Sequence, residues 1–355
     1  MVTPGFWQGK RVFITGHTGF KGSWLSLWLQ QMGAKLTGYS LAPSTNPNLF
    51  EVANVANGMT SIIGDIRDLD SLQKAITICR PDIVLHLAAQ ALVGEGYRDP
   101  LGTFSTNVQG TANLLDTVRN TPSVKAVVVV TSDKCYENRE WPWPYRENEA
   151  LGGHDPYSSS KACAELVTAA YRQSFLAQAG IAVATARAGN VFGGGDWSAN
   201  RLIPDLLVAF SENKTALLRH PNSIRPWQHV LEPLAGYLLL TEHICSNSAP
   251  NSAWNFGPGE QDCLPVGKIA DQLAKHWGAN ASWQIDEQSF PHEAGLLRLD
   301  SSLARQQLGW QQRWPLNAAL ANTIIWHKNW LDKINMREYT LGQIKKYTTD
   351  ELTKQ

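Results

Sequence analysis

Tyr157 and Lys161 stand four residues apart in "DPYSSSKACAE", so on a helix their side chains share one face. A free phenol ionises at about pH 10, too high for a base in neutral water. An ammonium one turn away, helped by a positive nicotinamide, lowers that pKa and leaves a base able to take an alcohol proton as hydride departs. The bland alternative is a surface pair. A second constellation is Ser132-Asp133-Lys134, reached from the run Val127–Val130 and Thr131 with no Gly or Pro between. An unbroken β-branched run marks a strand buried on both faces, so ions at its end either sit in solvent or face a site. A structural Asp–Lys contact is the alternative there. A third is "TGHTGFKG", with Gly16, Gly19 and Gly22 three apart. Glycines so placed let the backbone approach a pyrophosphate, while a helix N-terminus supplies N–H groups and a positive dipole. An ordinary glycine turn would look the same in isolation.

The elements around these residues decide between the alternatives. "RVFIT" reads as a strand, followed by the glycine turn and a helix from about Lys21 to Met32. "AKLTGYS", "MTSIIGD", "DIVLHLAA", "VKAVVVVTS" and "IAVATARAG" read as further strands. "DLDSLQKAITIC", "TFSTNVQGTANLLDTVR" and Ser158–Gln178 read as helices between them. Such alternation means βαβ units and a doubly wound parallel sheet, which binds its ligand beyond the carboxyl ends of the strands. All three constellations fall at such ends. Residues 1–189 are therefore expected to form a dinucleotide-binding Rossmann domain. From Asn190 the alternation is lost and Pro, Trp and Arg become frequent, which suggests a smaller C-terminal substrate lobe over 190–355. A segment near 231–258, with "AWNFGPG", is expected to return to the sheet. The polar tail after Trp330 is expected to fray.

Tyr39 and Ser40 end the second strand where an Asp or Glu would bind an adenosine ribose. No basic residue follows to hold a 2′-phosphate, which favours NAD. Asp65 suits either the adenine amino group or the cap of the next helix. The nine histidines show no ligand spacing and the five cysteines no C-x-x-C pair, so no metal is expected and the thiols are expected to be reduced. His86, inside a strand, reads as a core residue. With 31 basic and 31 acidic residues the 355-residue chain is neutral, which argues against nucleic acid or an anionic membrane as main partner. No stretch approaches the roughly 20 apolar residues of a membrane helix, and no signal peptide is visible, so a cytoplasmic location is expected. Most of the 14 tryptophans are expected in cores or interfaces.

The motifs "TGHTGFKGSWL", "LHLAAQ", "TSDKCY", "YSSSK" and "RAGNVFGGGDW" together resemble the extended short-chain dehydrogenases/reductases. The set is most similar to their nucleotide-sugar 4,6-dehydratases, in particular those acting on CDP-glucose. The resemblance implies NAD held by Gly16, His17, Thr18, Gly19, Phe20, Lys21, Gly22, Tyr39, Asp65, Ile66, Leu87, Ala88, Ala89, Gln90 and Asn107, with Tyr157 and Lys161. It implies oxidation at C4 with Tyr157 as base, loss of water across C5 and C6, and return of hydride to C6. Ser132 would hydrogen-bond the 4-oxygen and Asp133 protonate the departing hydroxyl. Where thymidine-nucleotide relatives carry a glutamate that removes the C5 proton, this chain has Lys134, acting either as a neutral amine or through an ordered water. Asn190, Arg201, Arg225 and Arg298 align with residues that hold the sugar-nucleotide diphosphate, which suits planar guanidinium forks. Gly94 and Gly96 stand where an Arg and a Ser are common. His17 is bulkier than usual in the glycine loop and is expected to crowd the pyrophosphate. A homodimer, through the helix after the fourth strand and the Tyr157 helix, is implied, with a tetramer left open. Rival readings are a sugar-nucleotide 4-epimerase, which needs Tyr157 but no Asp133 acid, and a non-catalytic dinucleotide sensor, which needs neither.

Overall fold

The apolar runs become one parallel sheet in the computed structural model, which describes residues 1–278, 281–286 and 295–350. β1 (Arg11–Thr15) enters α1 (Phe20–Gln31) through the glycine turn, followed by β2 (Lys35–Ser40), β3 (Thr60–Ile63), α2 (Leu69–Cys79) and β4 (Ile83–His86). Next come α3 (Gly110–Arg119), β5 (Ala126–Val130), α4 (Pro156–Tyr171) and β6 (Ala182–Arg187). Beyond them lie α5 (Leu202–Ser211), β7 (Ala216–Leu218), α6 (Leu231–Cys245), β8 (Ala253–Asn255), α7 (Val266–Trp277), α8 (Leu316–Leu331) and α9 (Met336–Thr349). The sheet order is β8-β6-β5-β4-β1-β2-β3, and every neighbouring pair is parallel. The order reverses between β1 and β4, which opens the crevice such sheets use for ligands.

Each of the five residues of β5 is buried, because helices cover both faces of the sheet. α2 starts at Asp68, whose carboxylate accepts the Ser71 N–H at 3.1 Å. The cap therefore belongs to Asp68, while Asp65 is paired with the Arg67 guanidinium at 2.5 Å. β8 pairs with β6, and α6 packs on β5 and β6, so the chain does re-enter the sheet after Asn190. Around that excursion are short pairings: Val191–Phe192 with Gln228–His229, Ile224–Pro226 with Cys263–Pro265, and β7 with Trp283–Ile285. The tail after Trp330 does not fray over its described length. α9 is capped by the Asn335 side chain, and Met336, Ile344 and Tyr347 are buried, with Tyr347 edge-on to Trp28 of α1 at 5.7 Å. Spacing, not composition, makes this polar segment a packed helix.

Burial holds four histidines neutral: His17 and His327 are lowered to about 4, His86 and His229 to about 3. Their unfolded-state value is 6.5, so between 6.5 and about 4 the unfolded chain binds more protons. Stability from these groups is present above that window and is lost as pH falls through it. Buried Glu232, raised to about 7, acts oppositely: its contribution is present at low pH and is lost as pH rises through about 7. Asp205, raised to about 6, acts as Glu232 does, but four groups outweigh two, so the melting temperature at about pH 5 is expected to lie below that at about pH 7 at fixed ionic strength. An equal or higher value would contradict this.

Candidate active site

A cavity of about 610 Å³ opens at the carboxyl ends of β5 and β6, under α5 and β7. Lys21, Ser132, Asp133, Lys134, Tyr157, Asn190, Arg201 and Arg225 all line it. The ionic end of the apolar strand thus faces a site. Arg298 is not among its described lining residues. Its backbone carbonyl accepts the Tyr145 N–H at 2.9 Å, its segment also bridges at Leu296 to Ile224 beside Arg225, and its Nε is buried without a hydrogen-bond partner.

The glycine loop is shaped by contact as well as by ligand approach. Gly16 has φ +78°, and a Cβ there would lie 2.7 Å from the Ala88 nitrogen. A Cβ at Gly22 would lie 2.0 Å from the Gly16 oxygen. Gly19 is different: it caps α1 with no side-chain bond and meets only the Gly16 oxygen, at 3.4 Å. The first-turn N–H groups of α1 therefore point outward for an anion, and the loop fits a dinucleotide pyrophosphate. Thr18 ties the loop to β2 by donating to the Leu41 carbonyl and pairing with Ser40 Oγ, each at 2.8 Å.

Two cofactor expectations are corrected here. His17 does not crowd the loop's outer face. Its ring is fully buried over Gly38, where a Cβ would come within 2.3 Å of it, and Nε2 meets Ser61 Oγ at 2.7 Å. Tyr39 is buried too, and its hydroxyl donates to the Asp65 carbonyl at 3.0 Å, so it offers nothing to a ribose. Asn107 and Ile66 are likewise buried. Asn107 sits in a π-helical turn, Ser105–Gln109, that breaks the helix into α3. Its amide accepts the Gln90 N–H and donates to the Gln90 carbonyl and Ser160 Oγ, within 2.8–2.9 Å. It positions the strand end "AAQ" against α4; π turns recur at functional sites for such re-aiming. His86 is a core residue, bonded to Thr15 at 2.6 Å and Thr111 at 3.1 Å.

α4 begins at Asp155, which accepts the Ser158 N–H at 3.0 Å, with Pro156 in the first turn. That start places Tyr157 beside Ser132 and Lys161 under β5. Lys161 Nζ donates to the Val130 carbonyl at 3.3 Å, and burial lowers its pKa to about 8. Burial raises Tyr157 to about 12, opposed by the hydrogen bond with Ser132. Burial thus outweighs the lowering expected from Lys161 alone. Gly96 packs on the Tyr157 backbone nitrogen, 3.2 Å from where a Cβ would stand, while Gly94 faces open space on the cavity wall.

Asp133 is 2% exposed. One carboxylate oxygen accepts from Ser132 Oγ at 3.0 Å, and the other, Oδ2, is buried with no partner. Gly189 makes room for it, since a Cβ there would lie 1.7 Å from Oδ2. Buried polar atoms are nearly always paired, so an orphan in a cavity marks a place for a ligand atom. Lys134 follows in a short 3₁₀ turn, half-buried on the same wall. Lys21 reaches this wall as well, lowered to about 7 by burial and by Arg201 and Lys161 nearby. Below the floor lies a buried pair the sequence reading missed. Arg187 forks onto Glu165 with two bonds of 2.9 Å, and Glu165 accepts from Thr131 and Thr185 at 2.5 and 2.6 Å. This network pins β5 one residue before Ser132; both partners were hidden among ordinary strand and helix positions.

The family model described as GDP-mannose 4,6 dehydratase matches residues 13–323. The chain belongs to that family. A CDP-glucose 4,6-dehydratase of Salmonella typhimurium is 53% identical over 337 residues, covering 93% of this chain and 94% of its own. A dTDP-glucose 4,6-dehydratase of Streptomyces griseus is 27% identical, covering 71% of this chain and 74% of its own. Among solved structures, the UDP-glucose 4-epimerase of Thermotoga maritima with UDP-glucose superposes with TM-score 0.81 at 21% identity, over 90% of this chain and 99% of that one. The dTDP-glucose 4,6-dehydratase of Bacillus anthracis with NAD gives 0.74 at 20% identity, over 90% and 96%. These likenesses confirm the extended short-chain dehydrogenase/reductase fold. Among the described residues of this GDP-mannose 4,6 dehydratase family member, no helix is long and apolar enough to cross a membrane.

Proposed function

We propose that the chain is an NAD-dependent hydro-lyase that converts CDP-glucose to CDP-4-keto-6-deoxyglucose and water. The observation that carries this reading is Asp133 Oδ2, a buried and unpartnered carboxylate oxygen in the cavity that holds Tyr157 and Ser132. A 4-epimerase of this fold has no use for that acid. The 53% identity to the Salmonella enzyme supports the cytidine nucleotide.

Bound NAD supplies a hydride acceptor and donor, so the overall reaction is redox-neutral, and its positive ring favours the phenolate. Tyr157 takes the proton of the 4-hydroxyl, with Ser132 hydrogen-bonded to the same oxygen and Lys161 below. The 4-ketone acidifies the proton on C5, which Lys134 receives as an amine or through a water it orders, and a proton is restored to C5 when hydride is returned to C6. Asp133 gives its proton to the C6 oxygen, which leaves as water. Arg201 and Arg225 hold the diphosphate with Asn190. Arg201 itself is oriented by Asp196 at 3.2 Å. Purified chain incubated with CDP-glucose and NAD is expected to develop the alkali-induced absorbance of a 4-keto sugar. Signal only with another nucleotide would overturn the substrate, and signal with none would overturn the reaction.

A homodimer through α3 and α4 accompanies this reading. Leu166 on α4 and Phe175 just beyond it remain 58% and 43% exposed, which suits a covered apolar face. Light scattering is expected to give twice the 39.2 kDa chain mass. A monomer would refute the pairing, and four chains would extend it.

A further inference from the structure

The same cavity is lined by residues of α5 and β7 as well, among them Asp205, Leu218 and Arg219. With the sugar at Tyr157 and the diphosphate at Arg201 and Arg225, as proposed above, the nucleobase must lie beyond the arginines, against these residues. Asp205 is the fourth residue of α5, and the Asn200 backbone N–H and the Arg219 guanidinium both act on its carboxylate to favour the ionised form. No side-chain hydrogen bond engages it among the described residues. An ionised carboxylate accepts at about four lone-pair sites, so most of its capacity is turned to the cavity. The Asp205 side chain is exposed where it lines the cavity, so a donor on a ligand can reach its oxygens.

Pyrimidine bases differ at that point in one way that matters. Cytosine presents an amine donor on C4, whereas uracil and thymine present a carbonyl acceptor. Carboxylates accept from the cytosine amine, and the same oxygens would face the lone pairs of a uracil carbonyl unpaired. We propose that Asp205 accepts the exocyclic amine of the base and so sets this site's preference for cytidine over uridine and thymidine nucleotides. The proposal rests on the sugar-nucleotide reading of the cavity and names the residue that reads the base. Leu218, on β7, supplies an apolar surface and no competing donor.

The test is the ratio of dissociation constants for CDP and UDP, measured by calorimetry on the wild-type chain and on Asp205→Asn and Asp205→Ala. The wild type is expected to bind CDP more tightly. That preference is expected to fall about 10- to 100-fold in both variants, the loss typical of one base-edge pair. With Asp205→Asn, kcat/KM for UDP-glucose is also expected to rise, because the amide can donate to the uracil carbonyl. An unchanged ratio in either variant that keeps a cooperative melt would overturn the proposal. So would a drop in melting temperature with the ratio intact, which is what a carboxylate serving only Asn200 would give. Binding requires no turnover, so a wild type that discriminates CDP from UDP but fails to dehydrate CDP-glucose would refute the reaction and leave this reading standing.

Discussion

Replacing Tyr157 by phenylalanine is expected to lower kcat by about 10³-fold, at the centre of the range for losing a positioned proton acceptor. It should also remove any reduction of NAD in the first turnover, because the missing hydroxyl is the one that takes the alcohol proton. The ring itself stays packed, as Tyr157 is 8% exposed and its backbone is held by the start of α4 and by Gly96. Stability should change little beyond the lost hydrogen bond with Ser132. Stopped-flow absorbance of NADH after mixing with CDP-glucose separates the outcomes. A variant that still reduces NAD at the wild-type rate would remove Tyr157 from its role. Burial lifts the phenol to about 12, so positive charge placed beside it favours its role as a base.

Asp133→Asn is expected to fail later. The 4-hydroxyl is still oxidised, since Tyr157, Ser132 and Lys161 remain, but the C6 oxygen has no acid to receive its proton. Turnover should fall by about 10²- to 10⁴-fold while NADH forms and persists. Lys134→Gln should stall at the same stage and, in deuterium oxide, show no exchange at C5. If Asp133→Asn instead lost NAD reduction and elimination together, the carboxylate would be serving the oxidation. If Lys134→Gln kept both turnover and C5 exchange, neither version of the lysine's role would survive.

The sequence made the sheet and the positions of its catalytic strand ends legible because those depend on local pattern. Apolar runs, glycine spacing and the Tyr157–Lys161 interval each act over a few residues. Side-chain direction was not legible in the same way. His17 lies in the loop by sequence, yet its ring is drawn under the sheet by Gly38 and by Ser61, 44 residues away. Tyr39 ends its strand at the ligand edge but is turned inward by the Asp65 carbonyl. Asn107 also braces Gln90, from a π turn that no local pattern announced. Glu165 and Arg187 carry no motif, and only the fold brings them together beneath Thr131. Asp205 is one acid in "RLIPDLLVAF", and its significance comes from the cavity it lines with the arginines. What the sequence withheld was set by long-range partners.

Internal return of hydride is tested most directly by CDP-glucose carrying deuterium at C4, converted in ordinary water and read by NMR of the product. Deuterium found at C6 of a 4-keto-6-deoxy sugar is the expected result. Deuterium restored to C4 of an epimerised hexose, or lost to solvent, would contradict it.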